Sequence, residues 1–398
     1  MTRQHLLLFY FITTLGSCCT TVVCFTKIAP IFGILTLLGV ALSLRTVGAL
    51  IFSYNVNHLF HKYGVKNVFL ASQIFGLFAV AVAYFGFEFR HFWIVTTGVV
   101  LTGIPGSLVS VGVISSIRSV TPDEKLFRRL SGSRELILGG SQIFAGLLVP
   151  VVAKYFSITP IFMFDFVTYL AAFLLISRVS LPNPSSETTF GPKSPNYVRL
   201  KDMRFLRFAF LVSAPLLLVG FLPILAGDVN SPHDFALPML MRESLWSIEG
   251  LTMAFSSIAY IYLQSALRSK SLMSLLLLNA LWVFFLSQTT SILLSLFFCM
   301  ALAFSFNLAF LKLRDDLIIS AKTDHHKIQA YSGLSIAFRA MMASLSPIYL
   351  SLFLKDNSSL LRDLGILVIA VQIVLILLGG PVLETLSRLR PEVINTTS

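Results

Sequence analysis

The chain has 398 residues, of which 56% are hydrophobic and 12% are charged, whereas charged residues make up roughly 25% of a soluble domain. So few charges cannot solvate the surface of a globule of this length, which excludes an ordinary soluble protein and indicates a surface that faces lipid. The formal net charge of +12 is explained by the retention of Lys and Arg on the cytoplasmic side of membrane proteins, and not by nucleic-acid binding.

Apolar runs of about 20 residues, each sufficient to cross a ~30 Å hydrocarbon core as a helix, follow one another along the chain. The sequence predicts twelve such spans, at about 5–26, 31–53, 67–87, 92–116, 135–154, 157–177, 206–226, 245–265, 271–288, 291–311, 331–353 and 361–380. The first run is interpreted as a retained helix and not as a signal peptide, because it is long, has no small-residue cleavage pattern and precedes further spans.

Lys and Arg are distributed unevenly between the two sides of this arrangement. With the N-terminus inside, 22 of the 30 Lys and Arg residues fall in inside segments and only 5 in outside loops. This bias predicts a multi-pass protein of the inner (plasma) membrane with both termini in the cytoplasm.

Two charged segments, Ser116–Pro150 and Lys322–Leu350, share a short pattern. Asp123, Ser131 and Gly132 recur 201 residues later as Asp324, Ser332 and Gly333. Because each segment is also a charged loop between two apolar runs, we interpret the pattern as an internal duplication. The expected fold is an all-α integral membrane protein whose twelve transmembrane helices form two pseudo-symmetric six-helix bundles. A Pro/Ser-rich cytoplasmic linker (180–204) is expected to join the halves 1–179 and 205–398.

Charged residues inside the spans are the main candidates for function. An unpaired charge there costs roughly 2.5–3.5 kcal/mol on insertion scales, so it needs a partner or water. Four residues are assigned to a substrate or proton pathway: Arg45 in span two, Asp165 in span six, Glu249 near the outer end of span eight and Arg339 in span eleven. The alternative is a structural ion pair within each half, which we favour slightly for Arg45.

The roles of these charges differ. Asp165 and Glu249 are the carboxylates best placed for protonation in a low-dielectric site. The alternatives are that Asp165 braces the loop between spans four and five, and that Glu249 reaches the outer surface. Arg339 is the best candidate to attract an anionic substrate, with a partnership to Glu249 or to a helix C-terminus as its alternative.

Span two ends in NHLFHKYGVKN (Asn57–Asn67), which resembles the loop 2–3 signature of the major facilitator superfamily. The matching residues are Leu59, Lys62, Gly64 and Lys66, while Asn57 replaces the first Gly of the signature and His61 replaces its acidic residue. The resemblance implies that this segment is a gating loop. The acidic residue of the family braces the two halves through a charge contact, and a protonated His61 carries the opposite charge.

The superfamily fold places spans one, four, seven and ten around a central cavity, so the resemblance implies that Thr14, Ser17 and Asn307 line it. Gln142 in span five is a further polar residue of the expected pathway. For any single one of these residues, a hydrogen bond between helices is the favoured alternative.

Two further stretches, TPDEKLFRRLSG (Thr121–Gly132) and FDFVTYLAAFLLISR (Phe164–Arg178), resemble the siderophore- and macrolide-exporter branch of the same superfamily. The resemblance implies a secondary active transporter that works by alternating access. The resemblance also implies export of a small organic molecule, such as a siderophore or an amphiphilic drug, in exchange for protons. It further implies a monomer without a cofactor. Where many antiporters of the superfamily carry a Gly-Pro pair, span five reads Gly139-Gly140-Ser141-Gln142, so antiport is implied by the branch and not by this motif.

Other function classes have less support. The chain has no GxxxxGK[ST] loop for direct use of ATP, and it has no HExxH, no GxGD-type carboxylate pair and no Ser/His pair at matching depth for intramembrane catalysis. The adjacent His325–His326 lack a third metal ligand. An importer of the same fold and a transporter-like sensor or scaffold stay open. The cargo also stays open, because 36 Phe residues suit an amphiphile whereas Arg45 and Arg339 suit a carboxylate.

Overall fold

The computed structural model describes residues 3–32, 35–179, 239–264, 269–288 and 292–321, together with the positions 267, 328, 329, 331–333, 335, 336 and 370. Predicted spans seven and twelve, most of span eleven with Arg339, and the linker 180–204 lie outside the described residues. The division of the chain into two complete halves, 1–179 and 205–398, therefore stays a prediction.

Nine α-helices make up nearly all of the described chain. They are α1 (Arg3–Phe32), α2 (Leu35–Tyr63), α3 (Val65–Glu88), α4 (Phe92–Ser119), α5 (Glu124–Tyr155), α6 (Thr159–Ser177), α7 (Met239–Leu263), α8 (Ser269–Gln288) and α9 (Ile292–Ser320). Helices α1–α6 correspond to predicted spans one to six, and α7–α9 to spans eight to ten. Within the described residues, six helices are long and apolar enough to cross a membrane: α1, α3, α4, α5, α6 and α9.

Three charged segments that the sequence assigned to loops are helical instead. Helix α5 begins at Glu124 rather than near residue 135, and Asp123 caps it by accepting a hydrogen bond from the Lys125 N–H at 3.0 Å. Helices α2 and α9 likewise continue to Tyr63 and Ser320. Hydropathy marks only the part of a helix that lipid surrounds, whereas a helix continues wherever its charges reach water or a protein partner.

The turn between α2 and α3 consists of Gly64 alone. Its backbone adopts φ 78° and ψ 149°, a region that is essentially restricted to glycine. The Gly64 N–H bonds the Phe60 carbonyl at 2.9 Å, and the Val68 N–H bonds the Gly64 carbonyl at 3.2 Å. The glycine that matches the loop 2–3 signature is therefore required by the backbone geometry of this turn.

One end of the molecule gathers the N-terminus, the α2–α3 turn, the α4–α5 turn and the end of α9; we call it the basic end. Arg3 donates to the Val120 carbonyl at 3.2 Å, and Lys66 donates to the Ser177 carbonyl at 2.9 Å. The hydrophobic core at this end combines residues of the predicted first half, such as Phe60 and Phe127, with residues of the second, such as Leu317. A second core, toward the opposite end, contains only residues of α1–α6 among those described.

Among the described residues, the two halves are in close backbone contact where α5 crosses α7. A Cβ atom added to Gly139 would lie 2.7 Å from the Gly250 carbonyl oxygen, and one added to Gly250 would lie 2.6 Å from the Gly139 carbonyl oxygen. Each glycine therefore lets the backbone of the other helix approach. Ser247 of α7 adds a hydrogen bond of 3.2 Å to the Ile143 carbonyl of α5.

The duplicated Ser-Gly pattern lies at corresponding contacts between the halves. Gly132 on α5 packs against Ile261 of α7, whose Cγ1 would lie 2.6 Å from an added Cβ. Gly333 of the second half packs against the Ser53 carbonyl of α2 in the first half. Each copy of the pattern thus faces a helix of the other half, as a two-fold internal repeat requires.

Candidate functional site

A cavity of about 290 Å³ lies among α1, α2, α4 and α5, with Ile336 of the second half at its wall. It brings together four of the residues that the sequence assigned to a substrate or proton pathway: Thr14, Ser17, Arg45 and Gln142. Small residues open the space, since Gly106 of α4 has no heavy atom within 4 Å of where its Cβ would lie. The volume is near the lower limit of small-molecule sites.

Arg45 is the charged residue of the cavity wall. Its guanidinium donates to the Thr21 hydroxyl at 3.1 Å, and Thr21 in turn donates to the Ser17 carbonyl at 2.6 Å. Gly103 of α4 makes room for this residue, because an added Cβ would lie 2.8 Å from the Arg45 carbonyl oxygen and 2.9 Å from its Cγ. The side chain is half-buried and faces the cavity.

Asp165 is fully buried on the other side of α1, directly against Gly16. Its Oδ1 accepts a hydrogen bond of 3.3 Å from Thr168, while its Oδ2 has no hydrogen-bond partner among the described residues. One turn further along α6, the Tyr169 hydroxyl lies 2.9 Å from the Ser17 hydroxyl, and Ser17 lines the cavity. Helix α1 therefore separates a buried carboxylate from the cavity.

The ion pair that we favoured for Arg45 is not present in the described part of the chain. No ion pair joins it to Asp165, the carboxylate of the same half, and the five pairs between described residues all lie elsewhere. The physical reason is that α1 lies between the two residues. Arg45 of α2 faces the cavity on one side of α1, whereas Asp165 of α6 packs against Gly16 on the other side.

Of the predicted second-half sites that the structure describes, neither Asn307 nor Glu249 is part of the cavity wall. Asn307 of α9 is buried and donates to the Ser256 hydroxyl of α7 at 2.6 Å, which is the interhelical hydrogen bond given as its alternative role. Asn279 of α8 makes a similar interhelical contact as an acceptor, since its side-chain oxygen accepts a hydrogen bond from the Ser305 hydroxyl of α9 at 2.5 Å. Glu249 is half-buried on α7, one residue before the crossing at Gly250.

Sequence reasoning missed a set of buried charges at the basic end, which we call the inter-half charge cluster. It consists of Arg128, Ser131, Arg134 and Glu135 of α5, Tyr260 of α7, and Lys312, Arg314, Asp315 and Asp316 of α9. Four cations and three carboxylates thus come together from two different halves of the molecule.

Arg314 is the centre of the inter-half charge cluster. It donates to Glu135 Oε1 at 2.6 Å and to the Ser131 hydroxyl at 2.5 Å, both on α5, and to the neighbouring Asp315 at 3.2 Å. Glu135 also pairs with Arg134. The side chains of Arg314 and Glu135 are each only 1% exposed, so this pair is removed from water.

Asp315 and Asp316 extend the cluster to α7 and back to α5. Asp315 accepts hydrogen bonds from Ser131 at 2.8 Å and from the Tyr260 hydroxyl at 2.7 Å. Asp316 accepts from Arg128 at 2.5 Å and pairs with Lys312. Every one of the four cations therefore has a carboxylate partner, as buried charges require.

The inter-half charge cluster also touches the cavity. The guanidinium of Arg134 lies 4.6 Å from the ring centroid of Tyr10, within the distance of a cation–π contact. Tyr10 is itself part of the cavity wall. Tyr10 therefore contacts both the cavity and the inter-half charge cluster.

The gating-loop residues predicted from the signature are placed at the basic end, beside this cluster. Lys66 bonds the end of α6, Lys62 lies 5.1 Å from the Tyr63 ring centroid, and Leu59 packs on the basic-end core. His61 is exposed. The ion pairs described between the halves run from α5 to α9, and not through the position where the signature has its acidic residue.

Comparison with known proteins was informative only at the level of structure, since no protein-family model matches the sequence and no curated protein matches it at a significant level. A bacterial homologue of the iron transporter ferroportin, in an outward-facing state, has a TM-score of 0.69 at 15% identity over 97% of this chain and 99% of its own. The human organic anion transporter MFSD10 (TETRAN) has a TM-score of 0.73 at 13% identity, over 96% of this chain and 100% of its own. The proton:xylose symporter XylE has a TM-score of 0.68 at 14% identity, over 95% of each chain.

These likenesses extend over nearly the whole chain and confirm the predicted fold class, an all-α integral membrane protein with the fold of major facilitator superfamily transporters. At identities of 13% to 15% they establish architecture alone. Cargo, direction and coupling must therefore be argued from the side chains of this protein.

Proposed function

We propose that this protein is a secondary active transporter that works by alternating access and exports a small organic molecule in exchange for protons. It lies in the inner (plasma) membrane with its basic end and both termini in the cytoplasm, in keeping with the positive-inside bias. The observation that carries the proposal is the inter-half charge cluster, which holds the halves together at one end of the cavity.

Charged contacts suit an interface that must open. A buried ion pair is often no more stable than an apolar contact of similar volume, because desolvation offsets the attraction between the charges. When water enters, however, charged groups are hydrated, whereas an apolar interface would expose its surface at full cost. The free-energy difference between closed and open states is therefore smaller for Arg314–Glu135 than for a hydrophobic seal.

The packing of the halves has the asymmetry of a transporter closed at one side. The core at the basic end combines residues of both halves, whereas the core toward the opposite end is formed by α1–α6 among the described residues. The ferroportin homologue with a similar fold was solved in an outward-facing state. We assign the same state to this chain, with its basic end closed toward the cytoplasm.

Asp165 is the proposed proton carrier. Burying an ionised carboxylate without a cation is costly, so an intramembrane carboxylate of this kind is by default a functional residue. It contacts α1 at Gly16, and the adjoining Ser17 reaches the cavity and bonds Tyr169. Gain or loss of a proton at Asp165 therefore changes the packing of the helix that lines the cargo site.

The transport proposal is tested by comparing metabolites in culture supernatants of a deletion strain and its parent, under iron-poor and iron-rich growth. We expect at least one metabolite to fall in the supernatant and rise in the cells of the deletion strain. The wild-type gene should restore release, whereas the Asp165→Asn variant should not restore it at equal protein level. The control variant Glu88→Gln, which replaces an exposed carboxylate of α3, should restore release.

Two results would contradict the export proposal. A metabolite that accumulates outside the deletion strain would indicate import by the same fold. Unchanged supernatants, together with ligand binding by the purified protein but no exchange in proteoliposomes, would indicate a transporter-like sensor. Full release by Asp165→Asn would remove this carboxylate from the mechanism.

A further inference from the structure

Among the described residues, the cavity wall carries one charge, and that charge is positive. Arg45 is the one charged residue among those that line the cavity, and no carboxylate and no histidine accompanies it there within the described residues. The same part of the chain holds no group of three or more His, Cys, Asp or Glu residues that could bind a metal ion. A cation inside the cavity would therefore meet the positive charge of Arg45 and no carboxylate or histidine ligand from the described part of the wall.

Arg45 differs from the other cations buried in the protein. Arg128, Arg134 and Arg314 each have a carboxylate partner, and Arg118 donates to the carbonyls of Thr121 and Pro122 at 3.2 and 3.1 Å. For Arg45 the only hydrogen bond to a described residue is the one to Thr21. A guanidinium has five N–H donors in a planar fork, so the bond to Thr21 uses only part of the donor capacity that Arg45 brings to the cavity wall.

The remainder of the wall selects an organic body. Hydroxyls of the wall are partly occupied within their own helices, since Thr13 bonds the Phe9 carbonyl at 3.0 Å and Ser107 the Ile104 carbonyl at 2.8 Å. Between them lie apolar groups, among them Val22, Leu138 and Ile336. An inorganic anion would leave these surfaces in contact with water, whereas an apolar body would cover them.

We infer that this cavity takes an organic anion, whose carboxylate or comparable acidic group pairs with the guanidinium of Arg45. The inference rests on the proposed transport function and specifies its cargo. It is carried by one juxtaposition: a guanidinium without a carboxylate partner among the described residues, in a cavity whose other walls are apolar or hydroxyl-bearing. A planar acidic group forms two parallel hydrogen bonds with such a fork.

Cys18 offers a direct measurement of occupancy, because it lines the cavity and is less buried than Cys19, Cys24 and Cys299. In full-length protein with those three cysteines replaced by Ala, the rate of Cys18 alkylation by N-ethylmaleimide is measured with two matched series of probes. One series is 1-naphthylacetate, 1-naphthylacetamide and 1-naphthylethylamine; the other is octanoate, octanamide and octylamine. Within each series only the head group changes.

We expect an acid to slow alkylation at a concentration at least tenfold lower than its amide or amine. Arg45→Gln should abolish this preference, and Arg45→Lys should keep part of it, because Lys retains the charge but not the fork. Arg129→Gln, which removes an exposed cation of α5, should leave it unchanged. Three results would overturn the inference. The amide or the amine could protect Cys18 as well as the acid does, the acid could protect Cys18 equally in Arg45→Gln and in the wild type, or neither series could show acid-selective protection.

The anion site and the transport proposal fail separately in this design. If an acid protects Cys18 but does not cross proteoliposome membranes by exchange, the transport proposal is wrong and the anion site stands. If a neutral or cationic probe is exchanged while no acid is preferred, the anion site is wrong and transport stands.

Discussion

Arg128 and Arg129 are neighbours on α5, and only one of them is part of the inter-half charge cluster. Arg128 bonds Asp316 at 2.5 Å and lies 3.4 Å from the Tyr260 hydroxyl, whereas Arg129 is exposed. Sequence counting treated both as cytoplasmic loop charges of equal weight. The distinction depends on the helical rotation of α5, which places residues 128, 131 and 135 on one face toward α9.

We expect Arg128→Gln to lower the free energy of unfolding by roughly 1.5–3 kcal/mol, the range for a hydrogen bond to a charged group. Arg129→Gln should have no measurable effect, because surface charges contribute little. Urea titration in detergent micelles, followed by tryptophan fluorescence, measures both. Equal effects of the two substitutions would show that the contact between Arg128 and Asp316 contributes nothing to the folded state.

At the scale of helices, the crossing of α5 and α7 depends on which glycine of Gly139-Gly140 faces the other half. Gly139 meets the backbone of Gly250 and Ala254, while an added Cβ at Gly140 has no heavy atom within 4 Å. The sequence drew attention to this pair only for the proline that it lacks. The structure gives Gly139 a packing role instead.

We expect Gly139→Ala to destabilise the protein by about 1–3 kcal/mol, because two backbones must separate to admit one methyl group. Gly140→Ala should be neutral or slightly stabilising, since Ala favours the helix. The same urea titration compares them. Equal loss in both variants would argue that helix α5 itself, and not its crossing with α7, is sensitive to substitution here.

The helices were predictable because long apolar runs report directly on contact with lipid, and every described helix overlaps a predicted span. Their ends were not, since Glu124–Arg134 and Lys312–Ser320 are polar enough to resemble loops. Polarity within apolar runs drew attention to Arg45 and Gln142, and the resemblance to the superfamily fold implied Thr14 and Ser17; all four line the described cavity. The inter-half charge cluster was not predicted, because its charges lie at the edges of the spans, where charged residues are expected in loops. The sequence signal for it was the direct succession of cations and acids in Arg134-Glu135 and Arg314-Asp315-Asp316.

At the scale of the whole molecule, the inter-half charge cluster, Tyr10 and the cavity form one continuous set of contacts. Gly132 and Gly333, which the proposed duplication relates, each pack against a helix of the other half. In the proposed transport cycle, the closed end is held by a few ion pairs, and the cavity contacts the cluster that contains them through Tyr10. Weakening the closed end should therefore change which side of the membrane reaches the cavity.

We expect Arg314→Gln to make Cys18 accessible from the basic end. The substitution leaves Glu135 and Asp315 without their main cation in the closed state, where both are almost inaccessible to water, whereas opening hydrates them. A shift of only 1.4 kcal/mol changes the closed-to-open ratio tenfold. With Cys18 as the sole cysteine, labelling by a membrane-impermeant methanethiosulfonate should therefore rise at least tenfold in vesicles that present the basic end. It should fall in vesicles of the opposite orientation, which excludes general unfolding as the cause.

Arg314→Lys should restore part of the closed state, and Arg129→Gln should behave as the wild type. Unchanged labelling in Arg314→Gln, or an equal rise from both sides, would contradict alternating access controlled by this cluster.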